Sequence, residues 1–226
     1  TGTGNEWSYT FKALPVKANG KDIVYTAKES NVPTGYTATI DGLTVTNTHA
    51  IETIEITGSK TWDDNDNQDG KRPSSITIRL AANGEEVASK EVKAEDGWNW
   101  KFTNLAKYTK GKVGEEIKYT ISEDNVEGYE TTVNGYDVTN THTLETKNVT
   151  VTKVWDDDSN RDGARPDQIT LQLMNGETVV ASATVDTVKG ADKQTYTFEK
   201  VYVYENGEEI TYTVDEAEVA GYTKAL

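Results

Sequence analysis

Ile54-Glu55-Ile56-Thr57-Gly58-Ser59-Lys60-Thr61-Trp62 alternates with a period of two. Residues two apart in a strand share a face, so Ile54, Ile56, Gly58, Lys60 and Trp62 predict a half-buried β-strand. The pattern returns at Val149, Val151, Lys153 and Trp155. Lys60-Thr61-Trp62-Asp63-Asp64 and Lys153-Val154-Trp155-Asp156-Asp157 lie 93 residues apart (153 − 60). A strand that recurs at a fixed interval signals tandem units, so the whole chain is read by repeat.

Other segments keep the same spacing. Asp69-Gly70-Lys71-Arg72-Pro73 matches Asp162-Gly163-Ala164-Arg165-Pro166, and Tyr119-Thr120-Ile121-Ser122-Glu123 matches Tyr212-Thr213-Val214-Asp215-Glu216. A third copy of the latter is Tyr25-Thr26-Ala27-Lys28-Glu29. Val45-Thr46-Asn47-Thr48-His49 matches Val138-Thr139-Asn140-Thr141-His142. The matches divide the chain into the C-terminal half of a repeat (1–50), a complete repeat (51–145) and a repeat lacking its last strand (146–226). The joining segments near Ile51–Thr53 and Leu144–Lys147 contain no Gly or Pro, which predicts a fairly straight rod.

Inside the complete repeat, strands are expected at Ile54–Trp62, Ile76–Leu80, Trp98–Phe102, Glu115–Ser122 and Gly135–Asn140. An Asn83-Gly84 hairpin turn precedes a further strand that Val87 opens. About seven short strands in about 93 residues predict an all-β fold of tandem β-sandwiches. No convincing amphipathic helix is present.

Composition narrows the function. The net charge of −15 would repel a phosphate backbone and an anionic bilayer, which argues against nucleic-acid and membrane-surface partners. No apolar run is long enough to span a membrane. The absence of cysteine excludes a disulfide, a thiolate metal site and a Cys nucleophile. A small β domain without disulfides needs another staple or a good core.

Phase supplies a candidate staple. Lys60 points with Ile54, Ile56 and Trp62; Glu123 points with Tyr119 and Ile121; Asn140 points with Tyr136 and Val138. Lys153 and Glu216 repeat the pattern downstream, and Glu29 and Asn47 repeat it upstream. A charge aimed at a core is costly unless paired or neutralised. Three readings follow: side chains reaching solvent at strand ends, a buried Lys–Glu ion pair bonded to Asn, or a reaction among the three. Burial lowers a lysine pKa and raises that of a carboxylic acid. The neutral amine is then a nucleophile, and a protonated acid polarises the carboxamide. Attack would expel ammonia and leave an amide, once per molecule, with Trp62 and Tyr136 as the dry wall.

These motifs, Lys-x-Trp-Asp-Asp, Asp-Gly-x-Arg-Pro, Tyr-Thr-x-x-Glu and Val-Thr-Asn-Thr, resemble the B-type repeats of Gram-positive collagen adhesins (Cna B-type domains) across essentially the whole chain. The resemblance implies a reverse immunoglobulin-like (prealbumin-like) topology and a stalk that holds a ligand-binding head away from the cell wall. It also implies a Lys60–Asn140 isopeptide bond assisted by Glu123. Glu216 and Glu29 are the equivalents in the partial repeats, with Lys153 and Asn47 unpaired. The expectation is a monomeric, extracellular, cell-wall-anchored, non-enzymatic segment without cofactors or metals. Its partners are neighbouring repeats and, through a head outside this segment, host extracellular matrix. A ligand-binding module for matrix protein or glycan and a pilus backbone subunit are the alternatives.

The acidic loop Asp63–Gly70 does not fit an EF-hand. With Asn65, Asn67 and Asp69 as its first ligands, Ile76 occupies the position that needs a glutamate. An Asx-rich turn is the expectation, with Arg72 and Arg165 pairing with its aspartates. His49 and His142 are read as surface or linker packing.

Overall fold

The computed structural model describes residues 2–226, and they form the predicted all-β chain. Among the described residues, fourteen strands have five residues or more. β1 (Tyr36–Asp41) and β2 (Thr44–His49) form an antiparallel hairpin. The middle segment contains β3 (Thr53–Asp63), β4 (Ser75–Ala82), β5 (Glu85–Lys93), β6 (Asn99–Ala106), β7 (Tyr119–Glu123), β8 (Glu130–Asn134) and β9 (Asp137–Thr141). The following segment contains β10 (Thr146–Val154), β11 (Gln168–Asn175), β12 (Thr178–Asp186), β13 (Lys193–Tyr202) and β14 (Tyr212–Glu216).

The seven strands of the middle repeat form two sheets, ordered β6-β3-β9-β8 and β7-β4-β5. Alternation sends Ile56, Ile76, Ile78, Leu80, Trp100, Phe102, Tyr119, Ile121 and Val138 into one buried cluster between them. Most pairings are antiparallel, but β9 lies parallel to β3, with Val138 opposite Lys60 and Asn140 opposite Trp62. The first and last strands of the repeat are therefore immediate neighbours.

Several predicted boundaries move for local reasons. The Asn83-Gly84 turn forms, with both residues at positive φ (51° and 93°), and its return strand starts at Glu85, two residues before Val87. Trp98 has φ 57° and precedes β6, packing edge-on against Trp62 instead of joining the strand. Residues 115–118 stay outside β7, and the turn that holds Gly135 delays β9 until Asp137. β8 carries no buried residue, so no apolar alternation announces it.

Gly58 lets this architecture close. A Cβ there would lie 1.8 Å from the Tyr136 carbonyl oxygen and 2.7 Å from the Trp100 indole. Trp100 sits directly across the ladder from Gly58, so a missing side chain on β3 makes room for the largest one on β6.

The segment after residue 145 repeats the plan in part. β12-β11-β14 form one sheet, β10-β13 another, and Val151, Trp155, Ile169, Leu171, Leu173 and Phe198 form its core. Among the described residues no strand flanks β10 as β9 flanks β3. Upstream of β1 the strands are only two residues long, and Trp7, Tyr9 and Phe11 are exposed.

Candidate functional site

β3, β7 and β9 carry the three polar residues that sequence phase aims inward. The Lys60 and Glu123 side chains are both fully enclosed, and Lys60 Nζ lies 3.6 Å from Glu123 Oε1. Asn140 is completely buried, and neither its Oδ1 nor its Nδ2 has a hydrogen-bond partner. In the parallel register Asn140 stands two residues beyond the Lys60 partner Val138, on the same face. A long lysine side chain spans such a diagonal offset.

The surroundings are enclosed, with one aromatic ring against the amine. Lys60 Nζ lies 4.1 Å from the centre of the Trp62 ring. Burial pulls the Lys60 ammonium down to about 8; Glu123 and Asp64 oppose that fall, and Arg72 adds to it. Glu123 Oε2 accepts a 2.9 Å hydrogen bond from the Thr131 hydroxyl, which fixes the carboxyl and leaves Oε1 facing the amine. Tyr136 packs against the core and is 3.5 Å from the Tyr119 carbonyl, so Trp62 alone of the two predicted aromatics is seen against the amine.

The flanking segments hold pieces of the same arrangement. Lys153 Nζ lies 2.9 Å from Glu216 Oε2 and 4.1 Å from the Trp155 ring centre. Asn47 Nδ2 donates to Glu29 Oε1 at 3.0 Å in the exposed N-terminal segment. Among the described residues, the middle repeat alone carries all three, with the enclosed Lys60–Glu123 pair on β3 and β7 and the buried Asn140 on the neighbouring β9.

The acidic loop turns inward. Asp64 accepts two hydrogen bonds from Arg72, at 3.0 and 2.6 Å, one from the Asn67 amide and one from the Tyr129 hydroxyl. Asp157 takes Arg165, Asn160 and Tyr222 in the same way. The predicted arginine anchors therefore form, and Tyr129 and Tyr222 join them as partners that were not expected. Their signal was the Gly-Tyr pair that recurs at 128 and 221. Burial alone would raise the Asp64 carboxyl, but Arg72, Asn67 and Tyr129 together hold it below its ordinary range. A depressed carboxylate contributes stability above its unfolded value of about 4, and that contribution is lost as pH falls through the folded value. Asp64→Ala is expected to cost the middle repeat about 3 kcal/mol in urea unfolding near neutral pH, with the deficit shrinking under acid conditions.

The model of the Cna protein B-type domain matches residues 1–48, 56–141 and 149–226. The chain belongs to that family. A collagen adhesin of Staphylococcus aureus is 39% identical over 225 residues, which is 97% of this chain and 19% of that protein. The chain thus spans about a fifth of this relative. The crystal structure of two B repeat units (B1B2) of the collagen-binding protein Cna of S. aureus is 38% identical, with a TM-score of 0.54. The match covers 93% of this chain and 57% of that one. The Cna B-type assignment accounts for the tandem all-β plan and for the three matched blocks.

Proposed function

We propose that this chain is a structural stalk segment of a bacterial cell-surface adhesin, whose middle Cna B-type repeat closes on itself through a Lys60–Asn140 isopeptide bond. Residues 51–145 act as the complete repeat, and 1–50 and 146–226 as partial ones. The parent protein is anchored to the cell wall, and a head outside this segment meets host matrix. The likeness to the collagen adhesin supports the stalk reading.

One observation carries the cross-link: a fully enclosed amine–carboxyl pair beside a buried carboxamide that satisfies none of its hydrogen bonds. An unpaired buried amide costs about 1–3 kcal/mol, so its persistence favours a chemical role over a packing one. The Lys60 ammonium passes a proton to Glu123. The neutral Nζ then attacks the Asn140 Cγ, while the Glu123 acid donates a hydrogen bond to Oδ1. As the C–N bond to Nδ2 breaks, Nζ gives up one proton, Glu123 relays it to Nδ2, and ammonia leaves. Lysine and asparagine become one secondary amide, and Glu123 keeps the proton it first took from the Lys60 ammonium.

Intact mass of the folded chain tests this. A deficit of one ammonia supports the bond, and the full theoretical mass defeats it. Glu123→Gln keeps the side-chain shape but removes the exchangeable proton. It is expected to slow ammonia loss about a hundredfold or more, followed by mass spectrometry after refolding.

A further inference from the structure

We propose that His142 is a proton-operated latch at the joint between the middle repeat and the one that follows, closed when the imidazole is charged and open when it is neutral. His142 directly follows β9 at the end of the middle repeat, and its side chain is only 8 % exposed. Both ring nitrogens face acceptors. Nδ1 lies 2.6 Å from the Gly128 carbonyl oxygen, and Nε2 lies 2.9 Å from Asp69 Oδ2. A neutral imidazole carries one N–H and one lone pair, so either tautomer turns a lone pair toward an oxygen. Only the imidazolium satisfies both contacts.

Asp69 is the hub through which this matters. Its side chain is fully enclosed, and the same Oδ2 accepts the Glu145 backbone amide at 2.7 Å. Glu145 belongs to the segment that joins the repeats, and its carbonyl receives the Val203 amide of the next repeat. The residues beside Asp69 grip that repeat directly. Gln68 Nε2 donates to the Tyr204 carbonyl at 3.2 Å, and the Gly207 amide donates to the Gln68 carbonyl at 2.9 Å. Gly70 packs so closely on Gly207 that a Cβ would lie 2.7 Å from its Cα. One loop of the middle repeat therefore holds both the linker and a hairpin of its neighbour, and His142 holds the loop.

The other groups around His142 act in the same direction or are spent elsewhere. Glu145 adds negative potential and is itself 3.4 Å from Lys71. The Tyr129 ring lies 5.2 Å from the imidazole, and its hydroxyl is committed to Asp64. Burial would lower the His142 pKa, but the Gly128 carbonyl, Asp69 and Glu145 outweigh it and raise the value. A raised histidine contributes stability that is complete below its unfolded value of about 6.5 and is lost as pH rises through the folded value. The joint is thus tightest under mildly acidic conditions and loosens above them.

The absence of native cysteine permits a direct test on the full chain. Ser89 and Ser182 are exposed and occupy corresponding positions on β5 and β12. Spin labels on Ser89→Cys and Ser182→Cys report the distance across the joint by pulsed electron resonance. From about pH 5.5 to about pH 8.5, the span in which imidazoles change charge, the distance distribution should broaden. Its midpoint should coincide with the His142 midpoint read from imidazole proton resonances. His142→Gln should be broad throughout, and His49→Gln should respond as the parent does. A width that stays constant across the range, a midpoint that departs from that of His142, or a pH response that survives in His142→Gln would each overturn the latch.

Discussion

Lys60→Ala is expected to return the chain to its full theoretical mass and to lower the melting temperature of the middle repeat by about 20 °C or more. The isopeptide would enclose 80 residues (140 − 60). Borrowing the chain-entropy estimate for a disulfide, closing a loop of that length removes about 4.5 kcal/mol of unfolded-state freedom. One kcal/mol moves the midpoint of a domain of about 90 residues by roughly 4–8 °C. Lys60→Ala also strips Glu123 of its partner, so part of its loss arises from a stranded carboxyl. Asn140→Ala separates the two effects, because it abolishes the cross-link and keeps the Lys60–Glu123 pair. The loss common to both variants, in scanning calorimetry, measures the bond. Melting unchanged in both would remove the stabilising role even if ammonia were shown to leave.

Gly58→Ala should have an effect of similar size by a different route. The added methyl meets the Tyr136 carbonyl, which is backbone, and the Trp100 ring, which is held in the core. Neither can rotate away, so β9 must separate from β3. Overpacking a dense core costs about 1–3 kcal/mol, and a backbone collision of this depth belongs at or above the upper end. Separation of these strands also carries Asn140 away from Lys60. The variant is therefore expected to unfold at lower denaturant and to retain its ammonia. The corresponding position downstream is Val151, which faces the smaller Tyr196 across the ladder. A Gly58→Ala chain with parental stability and parental mass would show that the close approach is not needed.

The sequence made some of these features plain and hid others, for physical reasons. Period-two alternation placed β3, β4 and β6 because each has one face against the core and one in water. It also set the inward phase of Lys60, Glu123 and Asn140, since parity along a strand fixes the face. β8 left no trace, because a strand exposed along its whole length needs no apolar residue. Parallel pairing of β9 with β3 was equally silent, because partner choice across about 80 positions leaves no local pattern. Arg72 was expected to pair with the aspartates of its loop and does so with Asp64. Surface or linker packing is the expectation for His142, and its ring instead meets the Gly128 carbonyl and Asp69. Nothing local reveals that Asp69, 73 positions earlier, would meet its ring.

The parallel contact between β3 and β9 also decides how a repeat responds when its two ends are drawn apart. The chain enters β3 at Thr53 and leaves β9 at Thr141, and the parallel ladder that pairs Lys60–Asp63 with Val138–Thr141 lies between those two points. Pulling then slides one strand along the other, so the rungs bear load together and fail together. An antiparallel pair pulled from the same end would instead peel open one rung at a time. Mechanical toughness in such a repeat is thus written into strand direction before any covalent tie is added.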